Sequence, residues 1–239
     1  RGISVPSAID SFEWSLEEKD SILQKKHIKK DPQKTYFLHA PSSNWKKGTS
    51  IIVNLLEECK HDGMPIEIIY VHQVSPEKAK QAYAYADFAI DQVAVGTFGL
   101  FGLEMMCWNI PVLVYQTDLY DKIRNYPPVI KITKKTFKEQ VAKCIDMKKR
   151  DEILEFSKKG RQWVMQNMDM STGFPKYLKI YADLIDNKQI PHLINKAWFE
   201  QEHLLQSGFK SEFYRYMIEE NVFNEIGVEI PEYDKRLYT

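Results

Sequence analysis

Between residues 35 and 132, short runs of β-branched and aromatic residues alternate with longer amphipathic stretches. No other feature limits the folds open to this chain so strongly. The runs lie at residues 36–39, 66–71, 88–90, 112–115 and 129–132. They are of strand length and largely apolar, as strands covered on both faces must be. The stretches between them have helical spacing. Residues 50–59 set Ile51, Ile52, Leu55 and Leu56 on one face, and residues 75–86 open with Ser75-Pro76-Glu77, a helix-start signal. Residues 100–108 are apolar nearly all round, which predicts a buried helix. Strands and helices in this alternation predict βαβ units and an α/β fold: a doubly wound, mostly parallel, Rossmann-like sheet with helices on both faces.

Outside this region the pattern changes. Residues 1–34 are polar and mixed and read as a linker or interdomain remnant, with Ile3-Ser4-Val5-Pro6 as a candidate strand. Residues 35–186 form the expected domain, closed by amphipathic helices at 135–144, 150–165 and, after Gly173-Phe174-Pro175, 176–186. Residues 187–239 read as a C-terminal helical extension rich in aromatics, including Trp198, Phe199, Phe209, Phe213, Tyr214, Tyr216 and Phe223. That stripe is read as core laid on the parent domain, with a partner or a peripheral membrane contact as the alternatives.

Charge and cysteine content exclude some classes. The 239 residues carry 33 Lys+Arg and 33 Asp+Glu, so the broad basic face of a nucleic-acid binder is not expected. Cys59, Cys107 and Cys144 form no CxxC pair and no metal-ligand spacing, which suggests a reducing, cytoplasmic setting and no metal site. The most apolar stretch, residues 93–115, carries Glu104 near its middle and is broken at Asn109 and Pro111. A central carboxylate costs roughly 2.5–3.5 kcal/mol in a membrane span, so a buried helix followed by a strand is expected, and no transmembrane segment. The chain opens at Arg1 with no signal-peptide pattern, as in a fragment or a processed product.

Two turns carry the chemistry. The first, residues 39–49, follows a strand and opens a helix, the place where such sheets bind ligands. Lys46 and Lys47 bring positive charge to a helix N-terminus that already favours phosphate, and Gly48 allows close backbone approach. A surface lysine beside a turn glycine is the plain alternative. The second, Gly96-Thr97-Phe98-Gly99-Leu100, opens the buried helix and offers free amides. Glu104, inside that helix, is a carboxylate that is costly to bury without donors, and ribose hydroxyls are suitable ones. A lysine partner elsewhere or escape to solvent would satisfy it equally. His39 reads as a structural histidine, and His72 follows a strand without an assigned role.

The set His39-Ala40-Pro41-Ser42, Lys47-Gly48-Thr49, Ala86-Asp87, Asp91-Gln92, Phe98-Gly99 through Glu104-Met105-Met106, and Pro111-Val112 resembles the C-terminal, donor-binding domain of retaining GT-B glycosyltransferases. These are the glycosyltransferase group 1, glycogen-synthase-like enzymes, and the resemblance covers residues 35–169. It implies a UDP-, GDP- or ADP-linked sugar as substrate and no separate cofactor. It also implies transfer with retention and a role in glycan or polysaccharide synthesis. Lys47 resembles the family lysine on the donor diphosphate, and Glu104 the second glutamate of a paired motif, which holds the ribose. These two are the candidate catalytic residues. Lys46, Gly48, Thr97, Phe98, Gly99, Leu100 and Tyr115 are the candidate donor-binding positions. The family's first glutamate belongs eight residues before Glu104, where this chain has Gly96. Asp91 is therefore also a candidate, as its substitute or as a cap on the following turn. There is no Asp-x-Asp pair, in keeping with metal-independent chemistry. The acceptor would belong to an N-terminal domain that residues 1–34 are too few to form, or to a partner chain. The alternatives are a non-catalytic nucleotide-sugar-binding module or subunit, and an unrelated flavodoxin-like or response-regulator-like domain.

Overall fold

A computed structural model describes residues 9–25, 30–116, 127–149 and 151–186. In chain order these residues form α1 (Leu16–Lys25), β1 (Thr35–His39), α2 (Asn44–Lys47), α3 (Thr49–His61), β2 (Ile66–Tyr70), α4 (Pro76–Tyr83), β3 (Phe88–Ile90), α5 (Leu100–Cys107), β4 (Val112–Val114), β5 (Ile130–Lys131), α6 (Phe137–Lys149), α7 (Glu152–Asn167) and α8 (Met170–Ile185). The strands make one sheet in the order β2-β1-β3-β4-β5, every neighbouring pair parallel. Residues 187–239, with the expected helical extension, lie outside the described residues, as do Ile3-Ser4-Val5-Pro6.

The period-2 geometry of a strand sends alternate residues to opposite faces, and the sheet carries a core on each side. Phe37, Phe88, Ile90 and Leu113 point to one core with Ile52 and Leu56 of α3 and Val141 and Cys144 of α6. Leu38, Ala89 and Val112 point to the other with Leu103 and Met106 of α5 and Trp163 and Val164 of α7. Double coverage is why the central strands β3 and β4 are apolar throughout rather than alternating, while the edge strands β2 and β5 carry Glu67 and Lys131. The expected α/β architecture is therefore the observed one.

Helix α5 is the centre of the second core. Six of its eight residues are buried, and only Leu100 and Glu104 are not. Its exposed-carbonyl end is held by two cations: Lys19 Nζ donates to the Trp108 carbonyl at 2.8 Å, and Arg161 donates to the Cys107 carbonyl. Cations at a helix C-terminus complement its dipole. Burial pushes the Lys19 ammonium down to about 8. Gly160 lets α7 approach closely, since a Cβ there would lie 3.3 Å from Met106 Cγ.

Two segments behave differently from the sequence expectation. Residues 9–25, read as linker, pack on the same core: Ile9 bonds to the backbone of Met168 and Met170, each at 2.9 Å, and Trp14 lies edge-on to Trp108 with centroids 4.9 Å apart. Helix α8 begins at Met170, ahead of Pro175, rather than after it. The reason is a cap. The Asp169 carboxylate accepts from the Ser171 amide at 2.9 Å, and its carbonyl accepts from Thr172 and Gly173 at 3.0 and 2.7 Å. That cap starts the helix upstream, and the proline forfeits a single bond near its beginning.

The place of Trp14 in the core is directly testable. Trp14→Ala should lower unfolding stability by about 3 kcal/mol, the scale for removing a buried aromatic, read as a reduced urea midpoint. A segment serving only as linker would leave the midpoint where it is.

Candidate functional site

In a sheet of this order the crossovers part between β1 and β3, and a cleft opens beyond the carboxyl ends of those two strands. Both turns singled out above emerge there. The cleft is a cavity of about 500 Å³, within the usual range of small-molecule sites. Its lining is mixed: Ser42, Lys47 and Glu104 bring polar and charged groups, and Val71, Val74, Ala79, Tyr83 and Phe101 bring apolar surface.

The two helix starts differ in use. That of α3 is closed: a Cβ on its cap residue Gly48, at φ 70°, would lie 2.6 Å from Val93 Cγ2, so the loop after β3 is packed against it. The Thr49 hydroxyl is committed to His39 Nε2 at 2.9 Å, and His39 Nδ1 is 2.8 Å from the Ile90 carbonyl. That carbonyl can only accept, so Nδ1 donates and Nε2 accepts from the threonine. Burial holds the His39 imidazole down to about 4, neutral at physiological pH. His39 is thus structural. His72 lines the cavity and makes a 3.1 Å contact from Nδ1 to the Pro41 carbonyl.

The start of α5 is open. Its first-turn N–H groups, on Leu100, Phe101 and Gly102, have no acceptor within the helix, and Leu100 and Phe101 line the cavity. The Gly99 amide donates instead to Asp91 Oδ2, while Lys47 Nζ pairs with Asp91 Oδ1. The Asp91 side chain has no exposure and does not line the cavity; Lys47 does, from the end of the short helix α2. One turn into α5, Glu104 reaches the same cavity, and among the described residues its carboxylate accepts no hydrogen bond. Burial, then the nearby Asp91 charge, raise its carboxyl to about 7 against the pull of Lys80 and Lys47.

The structure thus brings Lys47, Gly99, Leu100 and Glu104 together at the cavity wall. It does not bring the other candidates there. Tyr115 is buried in the core beneath the sheet, and its carbonyl accepts from Gln92 Nε2 at 3.0 Å. Lys46 is exposed over the Trp45 ring at 5.3 Å. Thr97 offers its carbonyl to Gln92, and Phe98 stands edge-on to Trp163 at 5.8 Å. Gly48 serves packing. Gln92, which enters the resemblance only within the Asp91-Gln92 pair and without a role, builds the loop: buried after β3, it accepts from the amides of Ala94 and Val95 at 2.7 and 2.6 Å. Gly96, where the paired motif places a glutamate, has φ 83°, a conformation side chains rarely adopt.

No protein-family model and no curated protein sequence matches the chain. Solved structures do match. Sucrose-phosphate synthase from Thermosynechococcus elongatus aligns with a TM-score of 0.54 at 12% identity, covering 77% of this chain and 53% of that one. The catalytic domain of starch synthase IV from Arabidopsis thaliana, solved with ADP and acarbose, aligns at 0.52 and 10%, covering 76% and 45%. The Anabaena protein HepE, solved with UDP and glucose, aligns at 0.52 and 14%, covering 73% and 55%. This chain therefore spans about half the length of the structures it matches.

A carboxyl raised by burial binds protons more readily folded than unfolded, so it contributes stability at low pH and loses it as pH rises through about 7. Glu104→Gln should therefore raise the melting temperature at pH 8, by on the order of 1 kcal/mol of stability, and have little effect at pH 5. An unchanged or lower value at pH 8 would contradict the placement of this carboxylate. With the sheet order, the cleft and these alignments together, the chain has the Rossmann-like fold of the GT-B glycosyltransferases.

Proposed function

We propose that the chain is the donor-binding half of a GT-B glycosyltransferase, which holds a nucleoside-diphosphate sugar and supports its transfer with retention to a glycan acceptor. One observation carries the reading. Lys47 from the end of α2 and Glu104 from α5, far apart in sequence, meet at a single cavity beside the first-turn amides of α5, which have no acceptor within the helix. Each fits a different part of a nucleotide. The ammonium and the helix start suit a diphosphate. A half-buried carboxylate that accepts no hydrogen bond among the described residues suits a ribose diol, which donates two hydroxyl hydrogens. The apolar lining residues Val71, Ala79 and Tyr83 suit a base or sugar face.

The chemistry follows from the charges. As the anomeric C–O bond breaks, negative charge develops on the leaving diphosphate. Lys47 and preorganised amides stabilise it without reorganising, so a bridging metal is not required for this step. The reading places the protein in polysaccharide or glycan synthesis in the cytoplasm. The acceptor side would come from an N-terminal domain or a partner chain, since this chain covers only about half of each matched structure. An exposed apolar stripe on α8, Phe174, Leu178, Tyr181 and Ile185, supports a neighbour of some kind.

A non-catalytic sugar-nucleotide-binding module is the second reading, and Gly96 favours it. At φ 83° that position is built for glycine, so no carboxylate reaches the sugar from there.

Calorimetry with UDP, GDP and ADP tests both readings. At least one nucleotide should bind, and Lys47→Ala and Glu104→Ala should each weaken it about tenfold, 1.4 kcal/mol. Failure of all three nucleotides to bind would sink both. Release of sugar from a bound donor, with a supplied acceptor half, separates enzyme from module.

A further inference from the structure

We propose that Asp91 is a positioning residue for anion binding: enclosed behind the cavity wall, it clamps the Lys47 ammonium against the Gly99 amide so that Lys47 presents its remaining donors to a diphosphate. The inference rests on the site reading above and gives the buried carboxylate a role distinct from touching the ligand.

The clamp is built from three parts of the chain. Asp91 follows β3 directly, and its amide donates to the Leu113 carbonyl at 3.0 Å, so its backbone is fixed in the sheet. Its two carboxylate oxygens are divided, Oδ1 to Lys47 Nζ and Oδ2 to the Gly99 amide. Two glycines enclose it. A Cβ on Gly102 would lie 3.0 Å from Asp91 Oδ2, and one on Gly99 would lie 2.7 Å from Lys47 Nζ. With no exposed side-chain surface and glycine backbone packed around it, the carboxylate has no route into the cavity and cannot contact a ligand there. The ammonium differs. It has three donors, one is committed to Asp91, and its side chain keeps 15% exposure on the cavity wall. A lysine is a flexible stem carrying a point charge, and the clamp removes that freedom before the ligand arrives.

The sign of the effect separates positioning from charge. Removing a negative charge beside an anion site should strengthen anion binding by Coulomb's law. Removing a clamp should weaken it. Inorganic pyrophosphate, titrated calorimetrically into the full chain, is the probe. Asp91→Asn is expected to bind it about tenfold more weakly, 1.4 kcal/mol. In a Lys47→Ala background the same substitution should change affinity by less than about twofold, because the two act as one unit. Gly99→Ala supplies a variant independent of Asp91. Position 99 has φ −105°, which alanine adopts without strain, and its methyl displaces the ammonium while leaving the carboxylate in place. A comparable loss is expected.

Unchanged or tighter pyrophosphate binding by Asp91→Asn would overturn the proposal, as would additive losses in the double variant. If Asp91→Asn does not fold, by circular dichroism, Gly99→Ala decides: full affinity there overturns the clamp. Wild-type chain that binds pyrophosphate but no nucleotide would defeat the nucleotide-sugar reading and leave the clamp to be judged on these variants. Failure to bind pyrophosphate overturns the clamp itself.

Discussion

The geometry of the cavity depends on one carboxylate that never reaches it. Asp91 holds a cation with one oxygen and a helix-start amide with the other, and it is closed off from solvent. A buried charge of this kind is costly unless its lone pairs are satisfied, and losing either partner leaves it stranded. That cost gives the arrangement its rigidity. The end of β3, the short helix α2 and the first residue before α5 are tied to one point.

Helix α5 shows the same logic along its whole length. It is nearly all apolar and buried, so its dipole is poorly screened by water. An anion, Asp91, lies at its amino end, and the cations Lys19 and Arg161 close its carboxyl end. Lys19 comes from α1 and Arg161 from α7, so the helix that carries Glu104 is pinned by both ends of the described chain. Glu104 is the exception to this satisfaction. It lines the cavity with no hydrogen-bond partner among the described residues and with its carboxyl raised to about 7, a destabilised group at the place where a ligand would relieve it. Stability given up at one residue of an otherwise well-satisfied helix is what a binding site looks like energetically.

Much of this was legible in the sequence. All five strands were, as short β-branched and aromatic runs between amphipathic stretches; the central β3 and β4, covered on both faces, are apolar along their whole length. Glu104 was legible as the lone charge in an apolar helix, and Lys47 as a cation at a strand-to-helix turn. Other features depend on residues that only the fold brings together. The start of α3 looked as well suited to phosphate as that of α5, but Val93 and His39 fill it. Tyr115 looked like a loop residue near the nucleotide, yet its side chain completes the core beneath the sheet. Asp91 suggested a substitute for the missing glutamate at 96 or a cap on the following turn; it accepts from the Gly99 amide and pairs with Lys47, two partners that only the fold brings to it. Nothing in the local pattern of residues 9–25 announced that Trp14 would sit on Trp108, since that contact spans most of the domain.

The account's central claim is that a nucleoside diphosphate enters the cleft between Lys47 and Glu104 over the start of α5. A ¹H–¹⁵N titration of the isotopically labelled chain with UDP, GDP and ADP tests it most directly. With whichever nucleotide binds, the account predicts the largest shifts at the amides of Lys47, Leu100, Phe101 and Glu104, and little change at Thr49 and Tyr115. Shifts centred on the α3 start or elsewhere on the surface, or no saturable shift with any of the three, would contradict it.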